Sequence, residues 1–595
     1  MADRRSQKAS DPCSQCRSRK VRCDRKRHTC GHCERLKYPC SFQTEVAVPS
    51  RPRTYEDDLP ERRRGSRAYI NCRLQKSRCS GELPQCTNCQ RRHRECQYPA
   101  SGRARHLPQK SPEAFKLTYP DRTVARPELQ QGLVYPVQDG AELASVLDDY
   151  FLHLYPLPSY SFLHEPSIRR MCADRTLEPS LVLSICAMVK LHCKRAWQSS
   201  ESGLLVELSE KRIWDELEKP SIFRLQALFL IIQYHAEVGR FERAFMMASI
   251  ASRHVAALQL NHESPQLSFV TQEIRRRAVW TMALLDGYFS VGLPGYSTIN
   301  YEEIYQQFPC REERFGSPIP EDINMVAMRG DNNKRSCGML ELILRVSKLR
   351  RDIIRFTRQL ALVEQPLKEF QDIVEGFRVN LSQLQGEIAS AVGPSETIRP
   401  ESRWFVRALE IQLAWRQAHC DLFRLFLPGH PNAAPDVVLR PLRSSAYVSQ
   451  ARAICQEHSG WIAETISIVQ KMDLGVLFSF DIARCAYQAA RLRLFLAHMP
   501  ESRSQLRPEA AIANAASCLD FIKRNFASAA HAQRMISDLS LLMGAYETGD
   551  GHLGAAMALD SLRASGNAVE RHNQLAVHSL IHQANFVDDS FLYEL

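Results

Sequence analysis

Six cysteines near the start of the chain, Cys13, Cys16, Cys23, Cys30, Cys33 and Cys40, follow the spacing C-x2-C-x6-C-x6-C-x2-C-x6-C, two copies of one half-motif. Thiolates at this density are soft ligands suited to zinc. Six of them supply the eight bonds of two tetrahedral ions only if two sulfurs bridge, whereas a single ion leaves two cysteines unused; the symmetric spacing favours two ions. The halves carry different loops. Between Cys16 and Cys23 lie Arg17, Ser18, Arg19, Lys20, Val21 and Arg22, while between Cys33 and Cys40 lie Glu34, Arg35, Leu36, Lys37, Tyr38 and Pro39. Four cations in six residues make the first loop the better nucleic-acid face, a short helix there projecting charge toward phosphates and guanine edges in the major groove.

This segment resembles the fungal-type binuclear zinc cluster, the zinc(2)-C6 type found in fungal transcription factors. The resemblance implies that Cys13 and Cys30, the first and fourth cysteines, bridge the two ions. It further implies that Lys20, with its neighbour Arg19, reads a CGG-like triplet while Arg17 and Arg22 hold the DNA backbone. The family usually carries proline two residues before the fourth cysteine; this chain has His28. A second copy follows. Cys72, Cys79, Cys86, Cys89 and Cys96 repeat C-x6-C-x6-C-x2-C-x6-C, with Arg73, Lys76 and Arg78 in the basic loop and Pro84 in the family's proline position. The cysteine expected three residues before Cys72 is Tyr69. By analogy this is a bridging position, and a phenol with a pKa of about 10 is a poor substitute for a thiolate. Three states follow for the second module: one zinc held, two held weakly with water or an outside ligand completing the shells, or no metal and no fold. Residues 41–71 connect the modules, and a flexible chain of that length spans about 30 Å, close to the ~34 Å of one duplex turn. Tandem modules on one chain are thus expected to take over part of a dimer's role.

The positioning elements are legible in charge and composition. Of 595 residues, 78 are Lys or Arg and 66 Asp or Glu, a net charge of +12. Residues 1–110 carry 27 basic and 11 acidic side chains, a net of +16, and the remainder 51 and 55, a net of −4. The basic block implies a polyanionic partner, because Lys and Arg release counterions condensed on nucleic acid. Eleven of the 20 cysteines fall between Cys13 and Cys96. The opening MADRRSQKAS has no apolar core of a secretory signal, so the cysteines are expected as metal ligands and not disulfides. The longest apolar stretches, residues 181–191 and 225–232, fall short of the ~20 residues of a membrane span. A soluble, intracellular protein without a membrane partner is expected.

The chain divides into a basic tail (1–10), the first zinc cluster (11–42), a linker (43–67), the degenerate second cluster (68–98), a Pro-, Gly- and Arg-rich linker (99–140), a helical middle region (141–320), a further helical region (321–575) and an acidic-hydrophobic tail (576–595). From residue 141 the texture is helical. Phe241, Ala244, Phe245, Ala248, Ala251, Val255 and Leu258 recur at three and four residues, and similar patterns predict helices around residues 181–193, 222–234, 275–289, 340–356, 370–388, 404–426 and 483–495. With 25 Gly in 595 residues and few alternating segments, the expected fold is small zinc-organised N-terminal modules followed by a large all-α regulatory domain. Residues 149–168, DYFLHLYPLPSYSFLHEPSI, and 273–295, EIRRRAVWTMALLDGYFSVGLPG, are similar to the middle homology region of the same family. That resemblance implies a regulatory domain, with a small-molecule effector among its partners. Trp280, Leu284, Leu285 and Tyr288 are predicted to face the core, and Arg275, Arg276 and Arg277 the solvent.

No catalytic motif is present: no Walker loop, no G-x-S-x-G, no H-E-x-x-H and no dinucleotide fingerprint. Cys186, His192 and Cys193 on an apolar helix read as core residues. A non-enzymatic, nuclear, zinc-dependent regulator of RNA polymerase II transcription is expected, with double-stranded DNA and coactivators or corepressors as partners. By family analogy it is pathway-specific, acting in secondary metabolism or nutrient use. Arg25, Lys26 and Arg27, and Arg62, Arg63 and Arg64, are further import-signal candidates. Two other classes are compatible with the cysteines: a zinc-thiolate redox or metal sensor, and a corepressor-type interaction protein without sequence-specific DNA binding. The ending FVDDSFLYEL suits either an activation segment or a strip docked on the helical body.

Overall fold

A computed structural model describes residues 12–18, 21–26, 28–37, 40–41, 90, 140–193, 199–316, 337–360, 362, 369–393, 400–442, 446–472, 474–499, 506–547 and 576–586. Arg19, Lys20, Tyr69, Arg73, Lys76, Arg78, the cysteines from Cys72 to Cys96 and residues 587–595 lie outside the described residues. The chain separates into two compact units, residues 1–125 and 126–595. Among the described residues there is no β-strand, and no helix is long and apolar enough to cross a membrane.

The described residues of the first unit include two single-turn helices, α1 (Ser14–Ser18) and α2 (Gly31–Arg35). Its buried cluster consists of Cys13, Cys16, Cys30, Cys33 and Cys40, with Cys23 packed against them. So few residues offer no apolar core, and sulfur occupies its place.

The second unit is built from α3 (Gly140–Asp149), which runs on as a π-helical turn, Tyr150–Leu154, then α4 (Glu165–Ala173), α5 (Pro179–His192), α6 (Ser199–Asp215), α7 (Ile222–Glu237), α8 (Phe241–Ala257) and α9 (Phe269–Ser290). After these come α10 (Met339–Leu360), α11 (Phe370–Val392), α12 (Phe405–Phe423), α13 (Tyr447–Lys471), α14 (Phe480–His498), α15 (Pro508–Asn525), α16 (Ala530–Glu547) and the short α17 (Leu580–Gln583). Neighbours in sequence pack on one another, α5 on α6, α7 on α8, α12 on α13 and α14 on α15, while α9 reaches α10 and α16 reaches α7. One contiguous buried apolar cluster runs from Leu143 to Leu580. Helix starts follow local chemistry: the hydroxyls of Ser221, Ser268 and Ser479 accept the backbone N–H groups of Arg224, Thr271 and Ile482, each satisfying one of the unpaired donors of a first turn. The periodic segments 222–234, 241–258 and 370–388 all form helices, and Cys186 on α5 is enclosed, burial pushing its thiol up to about 12.

The expected solvated face on α9 needs correction. Arg276 and Arg277 are buried, Arg277 with 0% of its side chain exposed. Its Nε donates to Glu273 Oε1 at 3.0 Å, its Nη1 to Tyr155 Oη and the Ser161 carbonyl at 3.0 Å and to Glu312 Oε2 at 3.0 Å, and its Nη2 to the Cys310 carbonyl at 3.1 Å. The guanidinium lies 4.0 Å from the Phe315 ring centroid. Arg407 enters from α12, donating to Glu312, to the Tyr155 carbonyl at 3.1 Å and to Ser161 Oγ at 2.7 Å. Two cations and two carboxylates thus close on each other with a partner for every guanidinium nitrogen, Arg407 Nε donating to the Pro156 carbonyl, the condition under which buried charge is tolerated. The adjacent guanidiniums hold the Glu312 carboxyl down to about 2 against the opposing effect of its burial. The segments 149–168 and 273–295 meet at this knot. Trp280, Leu284 and Leu285 face the core as predicted, and Tyr288 packs on Phe480 with ring centroids 5.6 Å apart.

Candidate metal centre

Local backbone geometry explains the C-x2-C spacing. In each half the first cysteine precedes a one-turn helix: the Cys13 carbonyl accepts Arg17 N–H at 3.0 Å, and the Cys30 carbonyl accepts Glu34 N–H at 3.0 Å. The sulfur of that same cysteine accepts the N–H three residues on, Cys16 N to Cys13 Sγ and Cys33 N to Cys30 Sγ, both at 3.4 Å. Sulfur here does the work of an N-cap oxygen. The turn brings the second cysteine of each pair beside the first.

The two halves then share their sulfurs. Cys13, Cys16, Cys23 and Cys30 form one group whose Sγ atoms all lie within 4.8 Å of one another, and Cys13, Cys30, Cys33 and Cys40 form a second. Cys13 and Cys30 stand in both. The Sγ–Sγ separations are 3.6 Å for Cys13–Cys30, 3.7 Å for Cys13–Cys33 and 3.6 Å for Cys16–Cys30. A disulfide needs about 2.05 Å, so these are not bonds. Four sulfurs about 2.3 Å from one tetrahedral zinc stand about 3.8 Å apart, and the observed separations fit that edge. Burial pushes the Cys16 thiol up to about 12 and raises Cys30 and Cys33 as well. Left as thiols, these three stay protonated at neutral pH, and a divalent cation supplies the charge that ionises them.

A carboxylate joins the halves. Gly31 N–H donates to Asp24 Oδ1 at 3.1 Å and Oδ2 at 3.2 Å, and a Cβ at Gly31 would stand 2.9 Å from Oδ2. Asp24 directly follows the third cysteine and Gly31 the fourth, a pairing that sequence reading overlooked although both residues adjoin ligands. Between them His28 adopts φ 72°, an angle closed to proline, whose ring fixes φ near −65°. The family's usual proline at this position thus gives way to a left-handed turn.

Of the cations expected to contact DNA, Arg17 and Arg22 are exposed, as are Arg25, Lys26, Arg35 and Lys37. Among the described loop residues the first half thus exposes Arg17 and Arg22, and the second Glu34, Arg35 and Lys37. The fungal Zn(2)-Cys(6) binuclear cluster domain matches residues 11–47 and again residues 68–105, and the fungal specific transcription factor domain matches residues 147–385, together more than half of the chain. The chain is 26% identical over 356 residues to the Zn(2)-C6 fungal-type transcription factor FTF1c of Fusarium oxysporum f. sp. lycopersici, an alignment covering 52% of this chain and 37% of that protein. It is 24% identical over 323 residues to FTF2 of the same fungus, covering 47% and 29%. An uncharacterised transcriptional regulatory protein of Schizosaccharomyces pombe is 25% identical over 167 residues, 25% of this chain and 17% of that one. The alignments span 37%, 38% and 29% of the length of these curated relatives. No solved structure matches it. Shared sulfurs in the head and the matched helical domain behind it lead to one assignment: the chain belongs to the fungal Zn(2)-C6 transcription factor family.

Proposed function

We propose that the protein is a zinc-dependent, sequence-specific DNA-binding regulator of RNA polymerase II transcription, acting in the nucleus through the first cysteine cluster. The observation that carries this reading is the pair of four-sulfur groups sharing Cys13 and Cys30, with exposed cations on the loop of the first half. Two zinc ions, bridged by Cys13 and Cys30, are the occupancy that six thiolates in two overlapping tetrahedra support. Zinc fixes the fold of the head, and the chain's own residues do the reading. In this reading Arg17 and Arg22 neutralise phosphates, and Arg19 and Lys20 are assigned to guanine O6 and N7 of a CGG-like triplet, the base edge that Arg and Lys recognise. Coactivators or corepressors are the further partners in this reading.

The test is zinc stoichiometry together with binding to CGG-containing duplexes at two salt concentrations. Two zinc ions in a first-module fragment, preference for CGG over a scrambled duplex, loss of that preference in Cys30→Ser, and a salt slope of about 0.9 per phosphate contact are expected. Absence of any duplex preference overturns the reading and favours a sensor or interaction protein. Lys76→Ala reports on the second module: a shortened footprint supports two-module binding, and an unchanged one leaves DNA recognition to the first.

A further inference from the structure

A cavity of about 410 Å3 lies between the loop after α9 and the helix α10, lined by Ser290, Gly292, Ser297, Ile299, Arg351 and Arg355 among others. It falls in the size range of small-molecule sites. One wall is the GYFSVGLPG end of the 273–295 segment, and it is held in an unusual conformation. Val291 has φ 40° and ψ 47°, a left-handed backbone that a β-branched residue rarely adopts. Gly292 follows at φ 80°, pressed on α10 so closely that a Cβ would stand 2.8 Å from Ile354 Cγ2. The buried Asp286 carboxylate fixes this wall by accepting the Thr298 N–H, the Thr298 hydroxyl at 2.9 Å, the Ser297 hydroxyl at 2.8 Å and the Ser290 hydroxyl at 3.3 Å. Strain that persists because its surroundings enforce it is concentrated at binding sites.

The opposite wall presents two cations one helical turn apart, an arrangement that repels unless an anion lies between them. Arg351 Nη2 and Arg355 Nη1 both reach a single oxygen, Glu302 Oε1, at 3.4 and 3.3 Å. Arg351 is braced for this, its guanidinium 3.7 Å from the Tyr301 ring centroid and its Nη2 2.9 Å from Asp352 Oδ1, while its buried Nε has no hydrogen-bond partner. Glu302 is 59% exposed, so its hold on the arginines is worth little and is easily exchanged. It is a carboxylate reaching in from the rim to a pair of guanidiniums that are less exposed than it is. Leu293, Pro294 and Ile299 supply an apolar surface in the same cavity.

We propose that this cavity binds a small organic acid, whose carboxylate replaces Glu302 between Arg351 and Arg355 and whose short aliphatic body lies against Leu293, Pro294 and Ile299. The inference concerns the body alone and stands whether or not the head reads DNA. Occupancy would tie the loop after α9 to α10 through the ligand.

The full-length zinc-loaded protein is titrated calorimetrically with succinate, glutarate and adipate, with glutaramide as neutral control and inorganic phosphate as charge-only control, and its melting is followed in parallel. Saturable binding of at least one dicarboxylate, absence of glutaramide binding, and a loss of at least about tenfold in Arg355→Gln, which removes one charge-assisted contact, are expected. Arg355 is 40% exposed, so this variant should fold as the parent does. Glu302→Gln removes the competitor and is expected to tighten binding about threefold, a gain that a purely structural role for the residue does not produce. No saturable binding of any of the three acids, an Arg355→Gln variant that binds like the parent, weaker binding in Glu302→Gln, or phosphate binding as tightly as the best dicarboxylate each overturns the proposal.

Discussion

Among the described residues of the first unit the buried side chains are cysteines alone, whereas in the second unit a single apolar cluster extends from Leu143 to Leu580. These are two different solutions to the cost of ordering a chain. The body removes enough apolar surface from water for the hydrophobic effect to balance lost conformational entropy. The head cannot, and below roughly 40 residues a chain needs metals or cross-links instead. Charge is handled in opposite ways as well. Most of the head's described cations stand exposed, while the body draws Arg277, Arg407, Arg350 and Asp421 inside and pairs them. The contrast supports the proposed contact of the first unit with a polyanion.

The largest expected effect separates the two directly. A structural zinc contributes on the order of 10 kcal/mol or more to a small domain, so chelation should unfold the head and abolish duplex binding while leaving the melting of the helical body unchanged. Cys30→Ser, which takes a ligand from both sulfur groups, should lose more zinc than Cys23→Ser, which takes one from a single group. Metal analysis alongside calorimetry checks both. A body that melts earlier after chelation would break the contrast.

The next effect lies in the body. Arg277→Ala leaves the buried Glu273 and the mostly buried Glu312 without their shared cation, and removing one partner of a buried pair costs about 3–5 kcal/mol. Denaturant unfolding should show that loss in the body, with zinc content unaltered. Arg277→Met, similar in length but uncharged, should recover little, because Glu273 and Glu312 each still lose a guanidinium and keep only Arg276 and Arg407 respectively.

The balance between what was readable and what was not follows the same boundary. The ligand set of the head is written in local spacing, because Cys13 and Cys16, or Cys30 and Cys33, are joined within one helical turn. The large apolar stripe of residues 241–258 likewise announces α8. By contrast α13 and α15 present Ala451, Cys455, Gly460 and Ala463, or Ala511, Ala515 and Cys518, to the core. Small residues weigh little in a hydrophobic period, yet they allow close approach: a Cβ at Gly460 would stand 2.7 Å from Arg493 Nη1. The Arg277 knot was half legible. Glu273 and Arg277 have the i, i+4 spacing of a helical ion pair, but Tyr155 and Ser161 lie more than a hundred residues away in sequence, and no local pattern signals them.

Buried carboxylates give the body a pH dependence of two signs. Glu312 is held down to about 2 from 4.5 despite burial, so its contribution is complete above the unfolded value and is lost as pH falls from about 4.5 toward 2. Glu410 is pushed up to about 8 by burial first and by the Asp481 charge second. The unfolded chain ionises Glu410 above pH 4.5 while the folded chain keeps its proton, so stability declines as pH rises from about 4.5 through 8. Glu410→Gln should flatten that decline and raise stability at pH 7 by on the order of 3 kcal/mol, measured as melting temperature against pH. An unchanged slope between pH 5 and 8 would show that Glu410 is ionised in the folded body.

The smallest expected effect sharpens the contrast within the head itself. A repeat of 17 residues relates Cys13 to Cys30 and sets Arg17 opposite Glu34 and Arg22 opposite Pro39. If the halves differ in function as they differ in charge, Arg17→Ala and Arg22→Ala should each weaken duplex binding by about 1 kcal/mol and lower the salt slope by about 0.9. Arg35→Ala and Lys37→Ala, equally exposed on the second half, should change affinity less and leave the slope nearly intact. The measurement is fluorescence anisotropy on one CGG duplex across a salt series. Equal losses on both halves would mean that exposure alone, and not the concentration of cations in the first loop, decides which face of the cluster meets DNA.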